Sequence, residues 1–368
     1  MAKMKVKNCI VGAGLAGLTL AERLANIKGE SVLLIDRRAH IGGNVYDYLW
    51  GGVLVHKYGT HIFHTNNKKV WDYLNNFSRF YPYMHEVKAF VDGHLASVPF
   101  NLNTLYELFP KSLANNLEST LLAHFPFGSR VSILELQKLP ELAFLSQFIY
   151  EKIFLNYSLK QWQCSLEELD KSVFERVPVV VGVDNRYFSD TYQGIPMQGY
   201  SKMCENMCKS KLIELRLECD YKDIEHSLEY ERLFFSGAID EFFNYELGEL
   251  PYRSLAFEFM EFEREYFQKY AVINYPNNYD YTRIGEYKYF LPYKTPHSVV
   301  SFEYPKSWSR GDERYYPLPT APSQALYEAY RQKAQALRNV YFIGRLGEYR
   351  YYDMDKVVAR ALELFETL

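Results

Sequence analysis

Apolar and polar positions near the start of the chain follow two different periods. Residues 5–11 are rich in β-forming side chains, and residues 31–35 (SVLLI) form a continuous apolar run bounded by charge, as is typical of a buried parallel strand. Between these runs, apolar side chains fall on one face of a helix, at Leu20, Ala21, Leu24 and Ile27. The pattern therefore predicts a βαβ unit.

The period changes twice more along the chain. From about residue 104 to 170 the spacing is helical, with Pro110, Pro126 and Pro140 separating the helical stretches. From about residue 177 to 304, alternating aromatic-rich segments such as SLAFEFMEFE and HSVVSFEYP predict strands of an antiparallel sheet. A helical insertion and a sheet are thus expected to follow the βαβ unit.

The last residues return to the first pattern. An apolar strand at residues 340–343 is followed by a glycine turn and an amphipathic helix, which can complete a domain begun at residue 5. We therefore predict an α/β fold with a discontinuous Rossmann-type dinucleotide-binding domain, a helical insertion domain and an antiparallel β-sheet domain. The dinucleotide-binding domain is assigned residues 1–76, 197–243 and 326–368, the sheet domain 77–103, 177–196 and 244–325, and the helical domain 104–176.

Composition limits the classes of ligand. The 368 residues include 42 Lys and Arg against 45 Asp and Glu, so the net charge of −3 offers no global attraction for nucleic acid. No apolar run reaches the roughly 20 residues of a membrane span. A strand also stands where a signal peptide would need its cleavage site. We expect a cytoplasmic protein that does not insert into membranes, with its five cysteines reduced because none forms a CxxC pair.

A glycine motif lies between the first predicted strand and helix. Gly12, Gly14 and Gly17 form G-x-G-x-x-G, in which the glycines allow a tight turn, a close approach to a pyrophosphate and close helix–strand packing. The helix start adds free N–H groups for phosphates. Asp36 ends the second strand, where its carboxylate can accept hydrogen bonds from a ribose. A merely structural turn would not require this acid, so we predict a bound dinucleotide.

A second glycine pair favours FAD over NAD. Ile41, Gly42, Gly43 and Asn44 follow Asp36 closely, and the glycine pair lets the backbone close over a bulkier cofactor. The chain contains no second G-x-G-x-x-G for a nicotinamide nucleotide. FAD held without a separate NAD(P)H domain is the predicted cofactor.

The motifs that follow resemble those of the bacterial UDP-galactopyranose mutases along the whole chain. The matching segments are HKYGTHIFHT (56–65), YSLKQW (157–162), RVPV (176–179), DNRYFSDTYQGIP (184–196), YTRIGEYKYF (281–290), GDERYYPLP (311–319) and IGRLGEYRYYDMD (343–355). The resemblance implies an FAD domain, a helical domain with a mobile loop and a sheet around one cleft. It also implies a homodimer, and a product that supplies galactofuranose for cell-surface glycans.

The resemblance implies a reaction without net redox change. In the family, N5 of reduced FAD attacks the anomeric carbon of the sugar and UDP leaves, so that UDP-galactopyranose and UDP-galactofuranose interconvert. The protein then has to hold the departing pyrophosphate and position the sugar. Arginines suit the first task because their planar donors match phosphate oxygens.

Residue roles follow from the same resemblance. Arg176, Arg283 and His64 are expected to be catalytic, Arg176 through the mobile loop. The nucleotide sugar is expected to contact Tyr157, Trp162, Arg176, Tyr187, Arg283, Tyr316 and Tyr351. The cofactor is expected to contact Gly12, Gly14, Leu15, Ala16, Gly17, Asp36, Arg37, Gly43, Asn44, His61, Gly344, Arg345, Tyr351, Asp353 and Met354. The chain departs from the family pattern at Asn156, Gln163 and Val180.

Three alternatives accompany this interpretation. His61 and His64 could ligate a metal, but no nearby cysteine or carboxylate completes a set, so no metal site is predicted. A flavin oxidase or desaturase of the amine-oxidase type would share the glycine motif, but would not require arginines for a diphosphate. A non-catalytic nucleotide-sugar or flavin sensor would bind without isomerising. The sequence also leaves open whether an N-acetylated sugar is accepted.

Overall fold

The computed structural model describes residues 4–162 and 178–368. Its strands, in chain order, are β1 (Met4–Val11), β2 (Val32–Ile35), β3 (Asp47–Trp50), β4 (Val53–His56), β5 (Phe63–Thr65), β6 (Phe80–Pro82), β7 (Val87–Val91), β8 (His94–Val98), β9 (Arg130–Val131), β10 (Val179–Val180), β11 (Tyr192–Pro196), β12 (Ile213–Arg216), β13 (Leu228–Phe235), β14 (Tyr252–Phe262), β15 (Val272–Asn274), β16 (Arg283–Glu286), β17 (Ser298–Ser307), β18 (Tyr316–Pro317) and β19 (Val340–Phe342).

The α-helices, in chain order, are α1 (Leu15–Asn26), α2 (Lys68–Asn75), α3 (Leu102–Leu108), α4 (Lys111–His124), α5 (Ile133–Leu136), α6 (Ala143–Ile149), α7 (Asn156–Trp162), α8 (Tyr200–Met207), α9 (Tyr221–Ile224), α10 (Ile239–Phe242), α11 (Ala321–Gln335), α12 (Gly344–Gly347) and α13 (Met354–Thr367). Single 3₁₀ turns occupy Gly43–Val45, Pro140–Leu142, Glu225–Ser227 and Tyr287–Tyr289. A π-helical turn, Tyr150–Leu155, joins α6 to α7.

A five-stranded parallel sheet contains the glycine motif. Its strand order is β12-β2-β1-β13-β19, so three distant parts of the chain form one sheet. Helices α1 and α13 bury an apolar face against it, including Leu18, Leu24 and Leu362. The predicted βαβ unit and its C-terminal completion are confirmed. Ligands of such sheets bind outside the carboxyl ends of the strands, which is where the glycine motif lies.

A seven-stranded sheet, in the order β18-β14-β17-β16-β15-β7-β8, forms the second layer of the site. Its pairs are antiparallel except β15 with β7, which run parallel. The segment 177–196, predicted to belong to the sheet domain, pairs elsewhere. β11 lies between β5 and β6 in a three-stranded sheet, and β10 pairs with β9. This segment therefore connects the dinucleotide-binding and helical parts.

Helices α3 to α7 form the predicted helical insertion around a separate apolar core. Asn101 begins it, because its side chain accepts from the Thr104 N–H while the Thr104 hydroxyl accepts from the Asn101 N–H. The last helix, α7, carries Tyr157 and Trp162 toward the other two layers. Within the described ranges, no helix is long and apolar enough to cross a membrane.

Candidate active site

The three motif glycines are required for two different reasons. A Cβ at Gly12 would lie 2.0 Å from the Ser236 Oγ, and a Cβ at Gly17 would lie 2.0 Å from the Gly12 carbonyl oxygen. Both positions therefore need glycine for the protein to pack. A Cβ at Gly14 would find Gly43 Cα at 3.8 Å and nothing nearer. The space beside Gly14 is free of protein atoms and is available to a ligand.

The second glycine pair packs against the first. Gly42 N donates to the Ala13 carbonyl at 2.8 Å, and a Cβ at Gly43 would lie 2.9 Å from Gly14 Cα. Gly43 has a φ of +58°, a region that favours glycine. The two glycine turns thus form one continuous backbone wall.

Asp36 is fixed at the carboxyl end of β2. One carboxylate oxygen accepts from the Ala13 N–H at 2.8 Å, and the other accepts from the Arg38 N–H at 2.9 Å. The side chain is buried but lines the cavity beside the glycines. Each oxygen keeps a lone pair for a further donor, such as a ribose hydroxyl.

These elements enclose a first cavity of about 230 Å³. The predicted cofactor residues that line it are Gly12, Gly14, Leu15, Ala16, Asp36, Arg37, Gly43, Asn44, His61, Gly344, Arg345 and Met354. Gly17 lies behind the wall. Sequence reasoning missed Arg38, Cys219, Asp220, Tyr221, Lys222, Ser236, Glu313 and Arg314, which also line this cavity.

A second cavity, of about 520 Å³, lies between the seven-stranded sheet, α7 and the first cavity. The predicted residues that line it are His61, His64, Tyr157, Trp162, Tyr187, Arg283, Arg345, Tyr316, Tyr351, Asp353 and Met354. Tyr351 and Asp353, predicted to contact the cofactor, line this cavity and not the first. Arg176 and Gln163 lie outside the described residues. The two cavities share Asn44, His61, Arg345 and Met354 as wall residues, so they meet.

Arg283 is the central cation of the second cavity. It lies opposite Glu303 in the β16–β17 register, with its Nε 3.6 Å from a Glu303 carboxylate oxygen, and its Nη2 donates to the Tyr157 hydroxyl. Burial alone would lower the pKa of Arg283, but the Glu303 charge outweighs it and holds that pKa well above the ordinary value. The Nε is buried and has no hydrogen-bond partner among the described residues. This arginine is charged, and its side chain lines the cavity.

Aromatic side chains form the wall beside Arg283. The rings of Tyr316 and Tyr351 stack with centroids 5.1 Å apart, and Trp162 lies 6.4 Å from the first and 6.3 Å from the second. Burial raises the pKa of Tyr316 and of Tyr157 above the usual tyrosine range. Both hydroxyls are therefore neutral hydrogen-bonding groups at neutral pH.

His61 lines both cavities, and His64 and His85 line the second. The His64 Nδ1 lies 2.9 Å from an Asp190 carboxylate oxygen, and the ring stacks on Phe188 at 3.6 Å. The His61 Nδ1 lies 2.7 Å from the Gly59 carbonyl and donates to it, which leaves Nε2 as an acceptor. Burial lowers the pKa of His61 and of His85 to about 3, so both rings are neutral at pH 7.

Two wall residues of the second cavity gave no sequence signal. His85 precedes β7 and is buried, and Arg130 begins β9 and is exposed. Arg130 pairs with Val180, one of the positions where the chain departs from the family pattern. A single polar residue at the start of a short strand carries no periodic signal. Only the tertiary fold brings these two side chains to the cavity.

The arrangement suits two adjacent ligands with phosphates. A backbone wall, a helix N-terminus and an acid define the first cavity. A charged arginine, neutral hydroxyls and aromatic faces define the second. Comparisons with known proteins agree with this geometry. Residues 152–351 match the family model "UDP-galactopyranose mutase", and residues 10–77 match that of an NAD(P)-binding Rossmann-like domain.

Curated relatives match over nearly the whole chain. A probable UDP-galactopyranose mutase of Klebsiella pneumoniae is 39% identical over 360 residues, which cover 96% of this chain and 92% of the relative. The chain belongs to the UDP-galactopyranose mutase family. A dTDP-fucopyranose mutase of Escherichia coli is 37% identical, with 97% of each chain covered. This member of the mutase family therefore has relatives named for two different nucleotide sugars.

The fold of this mutase family member matches a solved one. The crystal structure of a reduced UDP-galactopyranose mutase superposes with a TM-score of 0.73 over 99% of this chain and 93% of that one, at 16% identity. The predicted fold class is confirmed, and the first cavity belongs to a Rossmann-like dinucleotide-binding domain.

Proposed function

We propose that the protein interconverts UDP-galactopyranose and UDP-galactofuranose, with FAD in the first cavity and the nucleotide sugar in the second. The observation that carries this proposal is the meeting of the two cavities. Arg283 and its aromatic neighbours lie in a cavity that shares Asn44, His61, Arg345 and Met354 with the dinucleotide cavity. A sugar attached to a diphosphate held at Arg283 would then lie beside the cofactor.

The residues of the first cavity fit FAD. The free space beside Gly14 suits a pyrophosphate, the lone pairs of Asp36 suit a ribose, and the closely packed Gly43 closes the wall. Arg345, whose guanidinium donates to the Tyr315 and Tyr352 carbonyls, would line the flavin end. Bound FAD in its reduced form supplies a nucleophilic nitrogen for the anomeric carbon of the sugar.

Arg283 would hold the diphosphate as it leaves the sugar. Negative charge grows on the leaving phosphate, and the charged guanidinium of Arg283, which lines the cavity, can stabilise that charge. Glu303, which does not line the cavity, lies beside the Arg283 Nε and would help to hold the guanidinium in place. Arg176, which lies outside the described residues, remains the second predicted phosphate arginine.

The remaining side chains would orient the substrate and exclude water. Tyr187, Tyr316 and Tyr351 would donate neutral hydrogen bonds to the phosphates, while Tyr157 would stack on the uracil and Trp162 would lie near the nucleotide. His64, held by Asp190, lines the second cavity and would bond the edge of the cofactor. Water exclusion strengthens each of these polar contacts.

A dTDP-linked deoxysugar is a second candidate substrate. The Escherichia coli dTDP-fucopyranose mutase covers this chain about as fully as the Klebsiella pneumoniae relative does, at nearly equal identity. Both substrates present a nucleoside diphosphate to the same arginine. The sugar and the base distinguish them.

The test uses the purified protein and its absorption spectrum. An FAD spectrum is expected, followed by conversion of UDP-galactofuranose to UDP-galactopyranose only after chemical reduction, without consumption of reductant at each turnover. dTDP-fucofuranose and UDP-N-acetylgalactofuranosamine are assayed in parallel. Faster conversion of the dTDP-sugar selects the second candidate. Oxidation of the substrate, or tight UDP binding with no isomerisation, would contradict the proposal.

A further inference from the structure

The helix that carries Tyr157 and Trp162 changes its winding just before it reaches the second cavity. Residues Ala143–Trp162 are continuously helical, but the six residues Tyr150–Leu155 form a π turn between two α-helical parts. π turns are rare and are frequently found at functional sites. This π turn lies directly before α7, so it affects which residues of α7 line the second cavity.

A π turn sets which side chains face the cavity. The wall residues from this helix lie on one face, at Ile153, Phe154, Tyr157, Ser158, Gln161 and Trp162. A π turn contains one residue more than an α-helical turn. An α-helix turns about 100° per residue, so replacing the π turn by an α-helical turn would rotate the residues after it by about that angle, away from the cavity. The orientation of Tyr157 toward Arg283 therefore depends on the π turn.

Asn277 lies outside this helix. Its side chain forms hydrogen bonds with one residue inside the π turn and with the first residue of α7. Its side-chain N–H donates to the Lys152 carbonyl inside the π turn at 2.9 Å. Its side-chain oxygen accepts from the Asn156 amide at 2.6 Å, at the first residue of α7. Lys160, one turn later, donates to the Tyr275 carbonyl of the same loop at 2.9 Å. One short loop thus holds the helix at three points.

The loop is itself fixed by aromatic packing. The rings of Tyr275, Tyr279 and Tyr281 lie 5.0 to 5.2 Å from one another, and Phe90 of β7 lies 5.7 Å from Tyr275. Asn278 adopts a φ of +61°, which Asn tolerates better than most residues and which turns the chain sharply. The amide of Asn277 is therefore presented by a loop that is already ordered.

We propose that Asn277 is a positioning residue for nucleotide binding, which fixes the π turn and thereby holds Tyr157 against Arg283. Asn277 does not line either cavity, and it acts only through the helix. Asn156, a position at which the chain departs from the family pattern, supplies the second contact of this clamp. The inference rests on the proposed nucleotide site, and it assigns part of the nucleotide affinity to a residue outside that site.

The test measures UDP binding by calorimetry with wild type, Asn277→Ala and Asn277→Asp. Loss of the clamp should weaken UDP binding about three- to tenfold, the usual effect of one hydrogen bond. In the reaction, KM should rise by a similar factor while kcat changes less than twofold. Asn277→Asp keeps the acceptor for Asn156 but loses the donor for Lys152. It should behave as Asn277→Ala does.

The matched control is Asn75→Ala, which removes a similar amide-to-carbonyl bond, to Trp71 at 2.8 Å, in a helix that does not line the second cavity. It should leave UDP affinity unchanged. A lower melting temperature in Asn277→Ala with wild-type UDP affinity would overturn the inference, as would wild-type affinity in Asn277→Asp. If wild type itself does not bind UDP, the proposed function fails first.

Discussion

The motif residues of the first cavity come mainly from one short stretch of the chain, whereas those of the second come from distant stretches. Gly14, Gly43 and Asp36 lie close in sequence. The first cavity depends on the absence of a side chain at Gly14 and at Gly43. Tyr157 and Arg283 lie far apart in sequence, and the second cavity depends on their charge and hydroxyl groups. Substitutions should therefore block the first cavity sterically and weaken the second electrostatically.

The largest effect is expected at Gly14. Gly14→Val should fold and yet be purified without flavin, because its side chain occupies space that the protein leaves free for the cofactor. Gly14→Ala should retain only a small part of the wild-type flavin. The flavin-to-protein absorbance ratio, measured with the melting temperature, checks both. A yellow, fully loaded Gly14→Val would contradict the proposed cofactor site.

Gly17→Ala is the matched comparison. Its Cβ would lie 2.0 Å from the Gly12 carbonyl oxygen, inside the protein and not in the cavity. This variant should lose stability and expression, because backbone atoms cannot give way as a flexible side chain does. The two neighbouring glycines should thus separate cofactor binding from folding.

The same contrast explains what the sequence could predict. The glycine turns and Asp36 depend on local backbone geometry, so their spacing alone identifies the dinucleotide-binding domain. Ser236, which follows β13, and Lys222, in α9, line the same cavity but carry no motif. Local signals cannot report which distant segments a sheet brings together.

The residues of the second cavity were predicted from the family motifs, because hydrophobic periodicity does not identify them. The tyrosines and Arg283 singled out by family motifs lie together in one cavity, but their roles remain predictions. His85 and Arg130 were missed because a lone polar residue before or at the start of a short strand has no distinguishing period. Pairing of β11 with β5 and β6 was missed because alternation predicts a strand without naming its partner.

The next largest effect is expected at Arg283. Arg283→Ala should lower turnover by about 10² to 10³, the usual effect of removing one donor to developing charge. Flavin content should stay at the wild-type level, since Arg283 does not line the first cavity. Steady-state rates of the reduced enzyme with UDP-galactofuranose check this. Near-normal turnover would remove the proposed role.

The effect of Arg283→Ala also depends on Glu303, and a substitution at Glu303 is the control. It is buried opposite Arg283, so Arg283→Ala alone leaves an unpaired carboxylate. The double variant Arg283→Ala with Glu303→Gln relieves this and should restore stability but not turnover. Recovery of turnover in the double variant would show that the buried charge, and not the lost donor, caused the defect.

A smaller effect is expected from protonation of His56, a buried residue that contacts the wall residue His61. The Nδ1 of buried His56 accepts from the His61 N–H at 3.0 Å, and burial lowers the pKa of His56 to about 3. In the unfolded chain His56 takes up a proton near pH 6.5, whereas in the folded chain it does so only near pH 3. The contribution of neutral His56 to the free energy of unfolding is therefore complete above pH 6.5 and is lost as pH falls toward 3. At pH 5 the loss is about 2 kcal/mol.

His56→Asn checks this contribution, because its side-chain oxygen can replace Nδ1 as an acceptor but does not titrate. Free energies of unfolding measured from pH 7.5 to pH 5 should decline less steeply for the variant than for wild type. Equal slopes would mean that His56 is not the group responsible, and that His61 or His85 carries the acid sensitivity.

The smallest effect is expected at the exposed rim of the second cavity. Arg130 lines the cavity but is exposed, and its side chain forms no hydrogen bond or ion pair with a described residue, although its charge helps to lower the pKa of Asp184. A solvated charge contributes little and is screened by salt, so Arg130→Ala should raise KM about two- to fivefold at low ionic strength. The difference should disappear in about 0.5 M salt.

Arg130→Lys keeps the charge and should keep most of the affinity, because a screened rim contact needs no fixed donor geometry. This sharpens the contrast with Arg283, where burial and the Glu303 contact fix the guanidinium and charge alone does not suffice. A salt-independent loss in Arg130→Ala, or a fall in kcat by orders of magnitude, would place Arg130 with Arg283 among the residues that bind the diphosphate directly. The second cavity would then hold its anion at two points on opposite walls.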